Sequence, residues 1–216
     1  MDISISKNIN RIYLIGVGWI LLGSILFSTK AILVKLAYRY EVDSTSLLAL
    51  RMLFALPIYL MIQAASKKQE APLHLKRKDY LLIITIGLLG YYIASLMDFL
   101  GLQYVTAGIE RLVLYVYPTL VLLISAWLFK RSIRRIEVLA LLFTYVGVGV
   151  AFIDKNALSG SDNFWLGVFF VFIAAIAFAL YIVGSGEYVQ QLGTRRFTVW
   201  TMSIGCTAIF INHRVA

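Results

Sequence analysis

Residues 164–186 read FWLGVFFVFIAAIAFALYIVGSG, a run without one Asp, Glu, Lys or Arg. A helix needs roughly 20 apolar residues to cross about 30 Å of hydrocarbon. This run is long enough, and too continuous for the alternating pattern of a barrel strand. In lipid the backbone must satisfy its own N–H and C=O groups, so such a span is a helix. Six comparable runs lie at 12–36, 44–65, 80–102, 105–129, 136–153 and 197–212. The expected fold is an all-α, polytopic membrane helix bundle with the lipid bilayer as its surroundings.

Composition excludes the other large classes. Of 216 residues, 61% are hydrophobic and 14% charged, against about a quarter charged in soluble domains. Cys206 is alone, which rules out an intramolecular disulfide and a Cys-based metal site. His74 and His213 lie in a loop and near the C-terminus, without ligand partners at helical spacing. No metal and no cofactor are expected. The apolar run near the N-terminus is too long for a cleaved signal, and no small-x-small site follows it.

The net charge of +9 is distributed by side. Lys7, Arg11, Lys67, Lys68, Lys76, Arg77, Lys78, Lys130, Arg131, Arg134, Arg135, Arg195 and Arg196 fall in alternate gaps, against Arg39, Lys155 and Arg214 in the others. Lys and Arg collect on the cytoplasmic side. The expected N-terminus is cytoplasmic, and after seven crossings the C-terminus is external. Attraction to anionic head groups accounts for the basic loops, so no nucleic-acid partner is assigned. No self-association is assigned either.

The polar stretch 154–163 divides the chain into a five-helix unit, 1–153, and a two-helix unit, 164–216. A shift of 151 residues pairs Phe27 with Phe178, Ala31 with Ile182, Tyr40 with Gln191 and Asp43 with Thr194. Identity across the shift is low, but the layout of helix, short turn and helix repeats. Because five is odd, a second copy would enter the membrane from the opposite side. Inverted repeats of this kind mark many secondary transporters.

Particular stretches carry a family resemblance. Gly18-Trp19, Ser24 to Ser28 and Lys30 resemble the first helix of EamA-type members of the drug/metabolite transporter superfamily. Leu48 to Ala55, with Arg51, resembles their second helix. Tyr117-Pro118-Thr119 to Ala126 resembles the fourth, and Gly147-Val148-Gly149-Val150 the fifth. The likeness covers about 14–153 well and 164–212 thinly. Lys130 and Arg131 stand where the family often has a Glu after the fourth helix, so no role of that Glu is carried over. The resemblance implies ten helices as an inverted five-plus-five repeat, with the second repeat incomplete in these 216 residues, and residence in a bacterial inner membrane.

Lys30, Lys35, Arg51, Asp98, Glu110 and Arg111 lie inside apolar runs. Each costs about 2.5–3.5 kcal/mol near a helix centre, so each should be paired or face water. Lys35 lies near a helix end and can snorkel. Under the expected orientation all six fall in the outer half of the membrane. Asp98 and Glu110 could pair with Arg51 and Arg111 as a static cluster; the excess positive charge could receive an anionic substrate; or either acid could carry a coupling proton. The residues leave all three open.

Helical spacing places Tyr91, Ser95 and Asp98 on one face of the third helix, and Arg111, Tyr115 and Pro118 on one face of the fourth. Tyr181 and Glu187 are their counterparts on the sixth. Pro118 either opens the helix or kinks it for packing, and the tyrosines line a cavity or serve as interfacial anchors. Gly16, Gly23, Gly147 and Gly149 are expected to permit close helix approach. The candidate substrate-binding residues are therefore Lys30, Arg51, Tyr91, Ser95, Asp98, Glu110, Arg111, Tyr115, Pro118 and Tyr181.

A secondary transporter of a small polar metabolite fits these features best, with a non-transporting seven-helix protein or an inactive fragment as the alternative. A retinal-binding receptor would need an external N-terminus and a Lys in 197–212. An enzyme would need a His pair, a Gly-x-Ser-x-Gly or an Asp dyad, and none is present.

Overall fold

The computed structural model describes residues 2–66, 76–151 and 163–215, and these form seven helical segments without a strand. They are α1 (Asp2–Tyr38), α2 (Ser44–Ser66), α3 (Arg77–Tyr104), α4 (Ala107–Leu128), α5 (Arg135–Ala151), α6 (Phe164–Leu192) and α7 (Thr194–Val215). Apart from Asn163, the 154–163 divide lies outside the described residues, as do Lys67, Lys68, His74 and Lys155.

Five of the seven are long and apolar enough to cross a membrane: α1 from Tyr13, α2 to Ala64, α3, α4 and α6. The other two differ for visible reasons. The described part of α5 ends at Ala151. α7 carries Thr198, Thr201, Ser203, Thr207 and Asn212 through its body and Arg195, Arg196 and Arg214 toward its ends. Its hydroxyls are satisfied inside the helix: Thr201 donates to the Phe197 carbonyl at 2.8 Å, Ser203 to Val199 at 2.8 Å and Thr207 to Ser203 at 2.9 Å. That back-bonding removes the bare hydroxyls that hydrocarbon would penalise.

Two helices are broken in mid-course. α3 passes through a π-helical turn at Leu88–Ile93 between Arg77–Gly87 and Ala94–Tyr104. α4 stops after Leu114 and restarts at Tyr117, with Pro118 in the first turn of the new segment. Proline lacks the N–H that would reach the Leu114 carbonyl, so the break sits where the chemistry requires it.

The centre of the bundle is α3 against α6, with α7 closing on α2 and α3. Lipid offers no hydrophobic drive between helices, so close van der Waals fit must hold them. A Cβ on Gly101 would lie 2.5 Å from Val171 Cγ2 and 3.0 Å from the Gly167 carbonyl; one on Gly167 would lie 2.7 Å from Tyr104 Cβ. Only glycine admits this approach. By contrast, a Cβ at Gly16, Gly23, Gly147 or Gly149 would meet nothing within 4 Å. The glycines expected to mediate packing thus face no described neighbour, and α5 and residues 13–20 of α1 are largely exposed. Between α6 and α7 the joint is Gly193 alone, at φ 78°.

Candidate functional site

The buried charges meet where α1, α3 and α4 converge. Lys30 of α1 pairs closely with Asp98 of α3 and reaches Glu110 of α4 at 3.5 Å. Arg111 Nε lies 3.2 Å from Glu110, and its guanidinium donates to the Phe27 carbonyl at 2.7 Å. Glu110 is fully buried and Asp98 is 5% exposed. Each of the two cations in this group therefore has an acidic partner. Aromatic faces flank them: Lys30 Nζ lies 5.6 Å from the Phe27 ring centre and 5.7 Å from that of Phe99, and the Arg111 guanidinium 4.7 Å from Phe27. Such contacts favour a cation held out of water.

Pairing differs from the sequence expectation at one point. The static-cluster alternative set Asp98 and Glu110 against Arg51 and Arg111; Lys30 stands where that alternative had Arg51, because α1 packs on α3 and α4 beside the cluster. Arg51 also lies over the Phe99 ring, 5.8 Å from its centre. Lys35 Nζ lies 3.5 Å from the Gln103 carbonyl near the helix end, consistent with snorkelling.

A cavity of about 200 Å³ adjoins this cluster, lined by Phe27, Lys30, Arg51, Gly90, Tyr91, Ala94, Ser95, Asp98, Leu114, Ala174 and Phe178. Five predicted residues (Lys30, Arg51, Tyr91, Ser95 and Asp98) are brought together on its wall. The face of α3 arises through the π-helical turn, which carries Gly90 and Tyr91, rather than through an unbroken helix. Such turns frequently occur at functional sites. Glu110 lies behind the wall as partner to Lys30. Tyr181 also stands behind it: its ring packs on Gly90 and meets Tyr91 edge-on at 5.5 Å, with the two hydroxyls 3.5 Å apart.

Arg111 and Tyr115 line a neighbouring cavity of about 380 Å³ with Ile20, Gly23, Ser24, Phe27, Ser28, Leu114 and Tyr117. Phe27 and Leu114 separate the two spaces. Pro118 lines neither and acts on the course of α4 instead. Sequence reasoning missed Phe27, Phe99 and Phe178, whose apolar side chains carry no distinguishing signal in an apolar helix. It also missed a polar clasp near one end of the bundle. There the Tyr38 hydroxyl meets buried Ser44 at 2.9 Å and donates to the Phe99 carbonyl at 2.7 Å, and the Gln103 amide donates to Ser44 at 2.7 Å. Among the described residues no cluster of His, Cys, Asp and Glu could hold a metal ion.

A model of the EamA-like transporter family matches residues 14–153. The chain belongs to this family. The EamA match covers the residues that bear Lys30, Arg51, Asp98, Glu110 and Arg111. Among similar proteins are the uncharacterized transporter YcbK of Bacillus subtilis (strain 168), 27% identical over 196 residues, and the uncharacterized transporter sll1164 of Synechocystis sp., 29% identical over 140 residues. The first alignment covers 91% of this chain and 62% of YcbK, and the second covers 63% and 40%. The chain thus spans about three-fifths of the length of the first. A solved crystal structure matches at TM-score 0.60 and 20% identity, over 88% of this chain and 67% of that one. At that identity the likeness concerns the fold. An EamA-family chain with these apolar helices is an integral membrane protein.

Proposed function

We propose that this protein is a secondary transporter that carries a small polar metabolite through the cavity between α1, α2, α3, α4 and α6 by alternating access. The observation that carries the reading is a space within apolar helices lined by Lys30, Arg51, Ser95 and Asp98. Charges at membrane depth are expensive and typically mark substrate or ion pathways. The volume lies below the roughly 300–1,000 Å³ of drug-sized sites, which favours a small solute.

The inverted-repeat reading gains support from the same wall. Phe27 and Phe178, paired by the 151-residue shift, both line this cavity. The shift also pairs Lys30 with Tyr181, which stands directly behind it. A site shared by the first helix of each unit is what transport between two rocking halves requires. The polar clasp of Tyr38, Ser44 and Gln103 holds α1, α2 and α3 together toward the expected external side, where it would act as a closure.

Counterflow in proteoliposomes containing the chain tests the reading. With a labelled pool of amino acids and organic acids, at least one solute should accumulate against its own preloaded form. Ser95→Trp, which fills the cavity without altering a charge, should reduce that rate at least about tenfold, or about 1.4 kcal/mol on the barrier. Failure of every solute in the pool to move, or unchanged flux in Ser95→Trp, would overturn it.

A further inference from the structure

Arg51 is the charge that the cavity leaves unbalanced. Lys30 and Arg111 each have an acidic partner in Asp98 or Glu110. Arg51 enters the same cavity from α2, yet no carboxylate among the described residues lies within ion-pair distance of it, and its guanidinium donates no hydrogen bond to a described residue. Its guanidinium carbon lies 5.8 Å from the Phe99 ring centre. A cation–π contact uses none of the guanidinium's N–H donors, so its fork remains available. That fork matches the two oxygens of a carboxylate.

The remaining wall is suited to an uncharged body. Tyr91, Ala94, Ala174 and Phe178 supply aromatic and methyl surface beside Ser95. A single negative charge would balance Arg51. A dianion would set a second negative charge beside Asp98, and a cation would add to Arg51. We propose that the cavity binds a small organic monoanion, its carboxylate held by Arg51 and its apolar part against Tyr91 and Phe178. As a statement about substrate, this rests on the transport reading above; as a statement about binding, it is tested separately.

The test uses the purified chain in lipid nanodiscs and three probes of one shape: benzoate, benzamide and benzylamine. Thermal unfolding followed by tryptophan fluorescence reports binding. Benzoate should raise the midpoint in a concentration-dependent way, and the neutral and cationic probes should not. Arg51→Gln should weaken benzoate binding at least about tenfold, while Arg51→Lys retains part of it. Benzamide acting as strongly as benzoate, no response to benzoate, or benzoate binding within about twofold of wild type in Arg51→Gln would each overturn the proposal. If Arg51→Gln does not fold, the wild-type comparison of benzoate with benzamide decides alone. Benzoate binding without counterflow of any solute would sink the transport reading and leave the anion site standing. Counterflow blocked by Ser95→Trp but without benzoate binding would do the reverse.

Discussion

Asp43 shows how one exposed side chain fixes the start of a membrane helix. Its carbonyl accepts from Leu47 N–H at 2.9 Å, and its carboxylate accepts from the Thr45 N–H at 3.0 Å and from the Thr45 hydroxyl. This is helix N-capping, and the negative charge also suits the positive end of the helix dipole. The Thr45 side-chain hydrogen bond leads the effects that hold the Asp43 carboxyl below its ordinary value of 3.8, outweighing burial. A depressed carboxyl contributes stability above its unfolded value and loses it as pH falls through and below 3.8. The thermal midpoint should therefore drop between about pH 6 and about pH 3, and by less in Asp43→Asn, which keeps a cap but not the titration. An equal drop in both proteins would show that Asp43 does not contribute. Lys30 shows the opposite regime. Its ammonium meets two buried acids, and its removal would leave Asp98 uncompensated, a loss of about 3–5 kcal/mol for buried pairs. The sequence marked Lys30, Asp98 and Glu110 as out of place in lipid, because charge is conspicuous there. It did not reveal which cation meets which acid, since that depends on how α1 is rotated against α3 and α4.

Among the helices, the α3–α6 contact depends on two glycines that face each other. Gly167→Ala would press a methyl group to 2.7 Å from Tyr104 Cβ and 2.8 Å from Val105 Cγ1. Overpacking of this sort costs about 1–3 kcal/mol. In bicelles, unfolding by denaturing detergent should show that loss for Gly167→Ala. Gly186→Ala, where an added Cβ meets nothing within 4 Å, should stay within about 0.5 kcal/mol of wild type. Equal stability of the two would mean that the helices separate at little cost. The apolar runs were legible because length and composition alone define a membrane helix. Their partners were not: Gly101 and Gly167 read no differently in sequence from Gly147 and Gly149, yet only the first two sit at a described close approach. The break in α4 was legible through Pro118. The π-helical turn in α3 was not, because it contains no residue that forbids an ordinary helix. Likewise Phe27 and Phe178 are two of 13 phenylalanines, and only the tertiary arrangement separates a cavity wall from a lipid face.

Across the molecule, charge and helix parity make a joint claim about orientation. Lys and Arg fill the alternate gaps that helix parity brings to one face, including Lys76, Arg77, Lys78 and Lys130 to Arg135. The gap containing Arg39 lies at the opposite end, beside the Tyr38–Ser44 clasp. The positive-inside bias then predicts Lys78 in the cytoplasm and Arg39 outside. It also puts the clasp on the external side of the Lys30–Asp98 pair, as the proposed transport cycle requires. Single cysteines test the arrangement in a Cys206→Ser background, where the buried native thiol no longer contributes. In intact cells a membrane-impermeant maleimide should label Arg39→Cys, and Lys78→Cys only after permeabilisation. Both positions are exposed in the folded chain, so steric shielding does not explain a difference. The reverse pattern would invert the whole bundle, reassign the clasp to the cytoplasmic side and require the proposed closure to gate the other face of the membrane.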